Sequence, residues 1–189
     1  MSQERWRCFV AVPIDEDVRL ALAAAAVPWH AYRGLRWVPD ASWHLTLAFL
    51  GSVEASAVDG VRATIADVAR RNEPMRLRGR GLGAFPSAAR ARVVWYGVDD
   101  RAGRLAAIAG DLGTGLGLED NAPYKAHITM ARALRGSADV RGWLAAASAS
   151  APALALTVGR LELMRSHLGS GTPRYERLAV MDLGSGVHA

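Results

Sequence analysis

The chain has 189 residues, 51% of them hydrophobic and 22% charged, the make-up of a globular protein with enough apolar material for one core. Its most apolar run, Leu20 to Trp29, is alanine-rich and too short to cross a bilayer, so no membrane span is expected, and the charged start (Glu4, Arg5, Arg7) argues against a signal peptide. The net charge of +5 rests on 23 basic residues, all arginine except Lys125, and arginine's planar fork suits phosphate; a solvated, arginine-biased surface would give the same composition.

In chain order, Arg7 to Pro13 reads as a strand. It carries Cys8, the only cysteine, which excludes an internal disulfide and fits a buried thiol in a reducing, cytoplasmic compartment. Asp15, Glu16 and Asp17 favour a helix start, by capping and by the helix dipole, and Val18, Leu22, Ala25 and Trp29 follow at helical spacing. A loop with Pro39 and Asp40 leads to a strand from His44, closed at Gly51. Val58, Val61, Ile65 and Val68 make a second helical face, and Met75 to Phe85 a strand bent at its glycines. Arg92 to Val98 is a strand, with Asp99 and Asp100 at the start of a helix bearing Leu105, Ile108 and Leu112. Gly113 to Gly117 breaks that helix, and a loop with Pro123 delivers a strand from His127. A helix around Val140, Leu144 and Ala147 follows, then strands Arg160 to His167 and Tyr175 to Leu183 joined by a turn at Gly169-Ser170-Gly171. The tail from Gly184 is expected to fray. No linker divides residues 1–189, which are read as a single domain.

The plan strand–helix–loop–strand occurs twice at nearly equal length. Asp15 lies 29 positions before His44, and Asp99 lies 28 before His127. Both units end in the same pattern, His44-Leu45-Thr46-Leu47 and His127-Ile128-Thr129-Met130. An internal duplication is the economical account, and it implies two similar lobes about a pseudo-twofold axis. Alternation of polar and apolar residues marks a half-buried strand. Leu45, Leu47 and Phe49 are expected in the core, as are Ile128 and Met130. His44 with Thr46, and His127 with Thr129, then share the opposite face.

Two imidazoles and two hydroxyls around one pocket suit acid–base chemistry on a phosphate ester. In-line displacement at phosphorus needs a base for the attacking water on one side and an acid for the departing oxygen on the other. Histidine, with an ordinary pKa of about 6.5, serves either role near neutrality. Threonine hydroxyls can donate to the non-bridging oxygens as charge develops. A lone strand histidine is more often structural; two in matching contexts are not.

These residues resemble the two-histidine (2H) phosphoesterases, and among them the RNA 2′,3′-cyclic phosphodiesterases, historically called 2′-5′ RNA ligases. The likeness is carried by Arg36-Trp37-Val38-Pro39, Trp43 to Gly51 and Pro123 to Arg132. Gly83-Ala84-Phe85-Pro86, Arg92-Val93-Val94-Trp95, Arg165-Ser166 and Tyr175 carry it too, and together they span about Arg7 to Leu183. The resemblance implies an α+β fold of two pseudo-symmetric lobes, mostly antiparallel sheet with outer helices, around a central groove. It also implies opening of an RNA or oligonucleotide 2′,3′-cyclic phosphate to a 2′-phosphomonoester without metal or other cofactor, by a protein expected to be a monomer. By that analogy His44 matches the proton donor to the leaving 3′ oxygen and His127 the base that activates water. Arg132 matches a phosphate-contacting arginine. Lys125-Ala126 departs from the Arg-Pro often found there. Two alternatives stay open: a phosphodiesterase for small cyclic nucleotides, and a non-catalytic RNA-binding module.

Further candidates come from the residues themselves. Arg76, Arg78 and Arg80 alternate along a strand as a basic stripe able to touch an RNA backbone, with a solvated face as the bland account. Trp43, Phe85 and Tyr124 could stack on a base or pack in the core. Gly113 to Gly117 follows a helix, which is the wrong context for a phosphate loop. His30, His167 and His188 lack motif context, and no spacing argues for a metal site.

Overall fold

The computed structural model describes residues 4–118, 123–167 and 174–184. In chain order the strands are β1 (Arg5–Pro13), β2 (Leu35–Trp37), β3 (His44–Glu54), β4 (Met75–Phe85) and β5 (Val93–Asp99). They continue with β6 (His127–Ala133), β7 (Leu154–Val158), β8 (Arg160–His167) and β9 (Arg174–Asp182). The helices are α1 (Glu16–Ala26), α2 (Val58–Arg70), α3 (Arg104–Gly115) and α4 (Arg141–Ser150). All strand pairs are antiparallel within one sheet ordered β7-β4-β5-β6-β3-β1-β8-β9, with β2 beside β6.

The sheet is two halves of four strands, β6-β5-β4-β7 and β3-β1-β8-β9, meeting at one residue pair, Leu45 with Ile128. Beyond it the edge of β6 is taken by β2, which pairs with Ala131 to Ala133, so β3 and β6 are not laddered further. The expected α+β architecture of two related lobes is thus present, with a feature that local sequence patterns do not disclose. β4 follows the first unit yet pairs with β5 of the second, and β8 follows the second yet pairs with β1 of the first.

Leu45 and Ile128 are fully buried, and they join Val10, Tyr96, Met130, Leu161 and Leu163 in one core with side chains from all four helices. Burying each such side chain contributes roughly 1.5–3 kcal/mol. The helices therefore cover one face of the sheet, and the histidines stand on the other. Among the described residues no helix is long and apolar enough to cross a membrane. Cys8 is buried and unpaired.

Several expectations need correction. Phe49 is 68% exposed, not in the core. Ala48 pairs with Val10 but Thr46 with Ala11, which leaves Leu47 as an extra bulge residue; Leu47 and Ala48 both turn inward and Phe49 comes out on the histidine face. Strands β2 and β7 form where the sequence reading assigns no strand. Helix α3 runs through Gly113 and stops before Gly117, whose φ of 63° no ordinary side chain adopts easily. Asp15 occupies the N-cap of α1 without a side-chain cap bond, whereas Asp100 Oδ2 accepts the Ala106 amide at 2.9 Å near the start of α3. The turn at 169–171, residues 185–189 and thus His188 lie outside the described residues.

Candidate active site

His44 and His127 each open their strand, and Leu45 and Ile128 between them and the threonines point into the core. Extending the Leu45–Ile128 register by one residue each way sets His44 across from Thr129 and Thr46 across from His127. The four predicted side chains therefore meet on one face, related by the pseudo-twofold axis.

The two rings are held by the same device. His44 Nδ1 donates to the carbonyl of Ser42 at 2.8 Å, and His127 Nδ1 donates to that of Lys125 at 2.7 Å, each two residues upstream. A backbone carbonyl only accepts, so Nδ1 carries the hydrogen in both rings and Nε2 is left free to take or give a proton. Burial pushes both imidazoles below their ordinary range, more strongly than the carbonyl bonds raise them. In the free protein both are therefore neutral at pH 7.

Their neighbours differ. The His44 ring stacks on Phe9 at 4.9 Å between centroids and meets Tyr175 edge-on at 5.5 Å. His127 meets Phe85 edge-on at 5.1 Å and lies 6.2 Å from Trp95. Lys125 Nζ sits 4.3 Å over the Trp95 ring, and its charge further disfavours a cationic His127. The indole lies flat across β4 at Gly83, where a Cβ would stand 2.1 Å from the ring.

Arg132 reaches this face through a second bulge. Trp95 pairs with Thr129 but Val94 with Ala131, so Met130 is the extra residue; Met130 and Ala131 both turn inward and Arg132 comes out. Its charge acts on both imidazoles. The bulge repeats the one at Leu47, and Arg132 is the positional counterpart of Phe49.

Of the stacking candidates, Trp43 is core, with Nε1 donating to the Val38 carbonyl at 3.1 Å. Tyr124 donates its hydroxyl to the Thr46 carbonyl at 3.2 Å, which ties the two motif strands together, and burial drives its pKa far up. Phe85 stays at the site, against His127. His30 packs on Trp37 and His167 bonds Glu176 at 2.7 Å, both away from the pair. Sequence reasoning misses Phe9 and Trp95 as site residues; each sits one strand in from a motif, which local spacing does not reveal. Two cavities of about 260 and 310 Å³, one beside Arg160 and one beside Leu116, include neither histidine. Among the described residues no group of three or more His, Cys, Asp and Glu is placed to hold a metal.

Comparison with known proteins gives one consistent picture. The family model for LigT-like phosphoesterases matches residues 12–95. The RNA 2′,3′-cyclic phosphodiesterase of Geobacillus stearothermophilus is 30% identical over 95% of this chain, which spans 58% of that relative's length. A protein of the same name from Thermus thermophilus is 37% identical over 67% of this chain and 68% of its own. The crystal structure of TT0787, also from Thermus thermophilus, superposes with a TM-score of 0.79 at 29% identity, covering 96% of this chain and 100% of that one.

Proposed function

The chain belongs to the LigT-like phosphoesterase family, and from that premise we propose that it is an enzyme hydrolysing RNA 2′,3′-cyclic phosphate ends to 2′-phosphomonoesters. The observation that carries the reading is the pair of imidazoles, tautomer fixed alike and Nε2 free, on adjoining strands of one face. The names of the relatives support the substrate.

Water is deprotonated by His127 Nε2 and its oxygen forms the new bond to phosphorus. The bond from phosphorus to the 3′ oxygen breaks, and that oxygen takes the proton held on His44 Nε2. The products are a 2′-phosphomonoester and a free 3′ hydroxyl. Lys125 supports this division of labour, because its charge opposes protonation of His127 and so favours the base form there. His44 starts neutral, and the anionic phosphate supplies the charge that lets it take up a proton on binding. Thr46, Thr129 and Arg132 hold the non-bridging oxygens, with Arg132 offering a charged, forked donor. The buried thiol of Cys8 suits a cytoplasmic setting, and a monomer suffices, since every group named lies in one chain.

The test is the product formed from a nucleoside 2′,3′-cyclic phosphate. A 2′-monoester is expected. A 3′-monoester, or no turnover, overturns the reading.

A further inference from the structure

Resting on that reading, we infer that Arg76, Arg78 and Arg80 of β4 bind the phosphodiester backbone of a single-stranded RNA whose cyclic end lies between the histidines, which makes the substrate an oligonucleotide rather than a mononucleotide. The register places these arginines on the site's own face. His127 stands across from Gly97 of β5; Asp99, two residues on, shares that face and stands across from Arg78 of β4. Arg76 follows by alternation, opposite Thr157 of β7, while Met75 and Leu77 on either side of it pack on the core side. Arg80 continues the alternation, its carbonyl oxygen 3.0 Å from where a Cβ on Gly97 would stand.

The dimensions suit a strand of nucleic acid. β4 lies two strand spacings from β6, about 10 Å, and successive arginines are about 6.6 Å apart along their strand, a repeat close to that of phosphates on an extended chain. Lys125 Nζ, over the Trp95 ring, adds one more positive charge to this face.

Their charge is also uncompensated. All three arginines are exposed, and none has a carboxylate oxygen within 4.0 Å among the described residues. Asp99, the acid across from Arg78, is held by Arg101 at 3.1 Å. On the other half of the same face Arg160 and Arg177 share one carboxylate, Glu162, itself 6% exposed, at 3.3 Å, which offsets one of their two charges. Arg7 of β1, two residues before Phe9, is also exposed on this face with no carboxylate within 4.0 Å among the described residues, so the first half offers one such charge where β4 offers a row of three. Guanidinium–phosphate contacts of this kind position a strand without reading its bases.

The experiment compares the wild type with the Arg76→Gln/Arg78→Gln/Arg80→Gln variant on a nucleoside 2′,3′-cyclic phosphate and on an eight-residue oligonucleotide ending in one, across a salt series. Glutamine keeps length and polarity at exposed positions, so thermal unfolding should be unchanged. The oligonucleotide KM is expected to rise about tenfold or more in low salt and its salt slope to fall by about 2, near 0.7 per lost contact on a single strand. The mononucleotide parameters should move less than about twofold. Unchanged oligonucleotide KM and slope would overturn the inference, as would an equal loss on both substrates or competition by polyglutamate as strong as by RNA of equal charge. Should the wild type turn over neither substrate, the hydrolase reading falls. Anisotropy of a labelled oligonucleotide with a 2′-phosphate end then decides the arginines alone, and binding indifferent to the triple substitution overturns them.

Discussion

The half-site at the start of β3 and the half-site at the start of β6 share a backbone and differ in chemistry. Both histidines donate Nδ1 to the carbonyl two residues upstream, and both strands bulge at the last residue of the His-x-Thr-x pattern. Around His44, however, stand Phe9 and Tyr175, whereas around His127 stand Phe85, Trp95 and Lys125, with Arg132 acting on both rings. Duplication thus supplies two equivalent proton-carrying nitrogens, and divergence of the neighbours makes them unequal. Lys125 adds its charge to the His127 half alone. On the proposed mechanism, this asymmetric field on a symmetric frame is what would separate an acid from a base.

The largest effect should come from removing either ring. His44→Ala and His127→Ala are each expected to lower kcat about 10²–10⁴-fold. Their pH profiles should differ: loss of the base at His127 removes the acidic limb of kcat/KM, and loss of the acid at His44 removes the alkaline limb. Identical profiles in the two variants would break the comparison. Next comes the pair at the bulges. Arg132→Ala deletes a charge-assisted contact, a loss of about 1.5–3 kcal/mol or roughly 10–150-fold in kcat/KM, while Phe49→Ala at the matching position should cost far less in kcat. An equal kcat loss in Phe49→Ala would show that the first half also holds the phosphate.

How much of this is legible in the sequence follows from the range of each signal. The paired motifs and the duplication are local patterns, and the four motif side chains stand together as those patterns predict. Period-two reasoning misplaces Phe49 because it assumes an unbroken strand. A warning is present in the sequence: Leu47-Ala48 and Met130-Ala131 are apolar doublets at the same offset in both copies, and the residue after the second is an arginine, which does not face a core. The exchange of β4 and β8 between halves leaves no local trace, because partners far apart in the chain are chosen by global packing. Phe9 and Trp95 become site residues only through strand pairing.

A smaller effect probes Lys125. Lys125→Met keeps the aliphatic stem over Trp95 and removes the charge, so the His127 pKa should rise toward its ordinary value. The acidic limb of kcat/KM should move to higher pH by less than about one unit while the alkaline limb, set by His44, stays put. Movement of both limbs together would mean that Lys125 acts on the whole face and not on one half.

The smallest effect is on stability. Both imidazoles have folded pKa values below the ordinary value of about 6.5, so as pH falls the unfolded chain takes up protons first. The stability tied to their neutral forms is complete above that value and is lost as pH drops from it toward the folded values. The Tm of the wild type relative to a His44→Gln/His127→Gln variant, which cannot titrate there, should therefore rise by a few degrees from about pH 5 to about pH 7.5. Carboxylates elsewhere affect both proteins alike and cancel in the difference. Since burial is the leading cause for both rings, each single variant should remove part of the slope; parallel curves for wild type and double variant would mean that neither ring is shielded from water. Saturating phosphate reverses the sign for this face, because an anion between the rings favours their protonated forms, and the gain in Tm it gives should be larger near pH 5.5 than near pH 7.5.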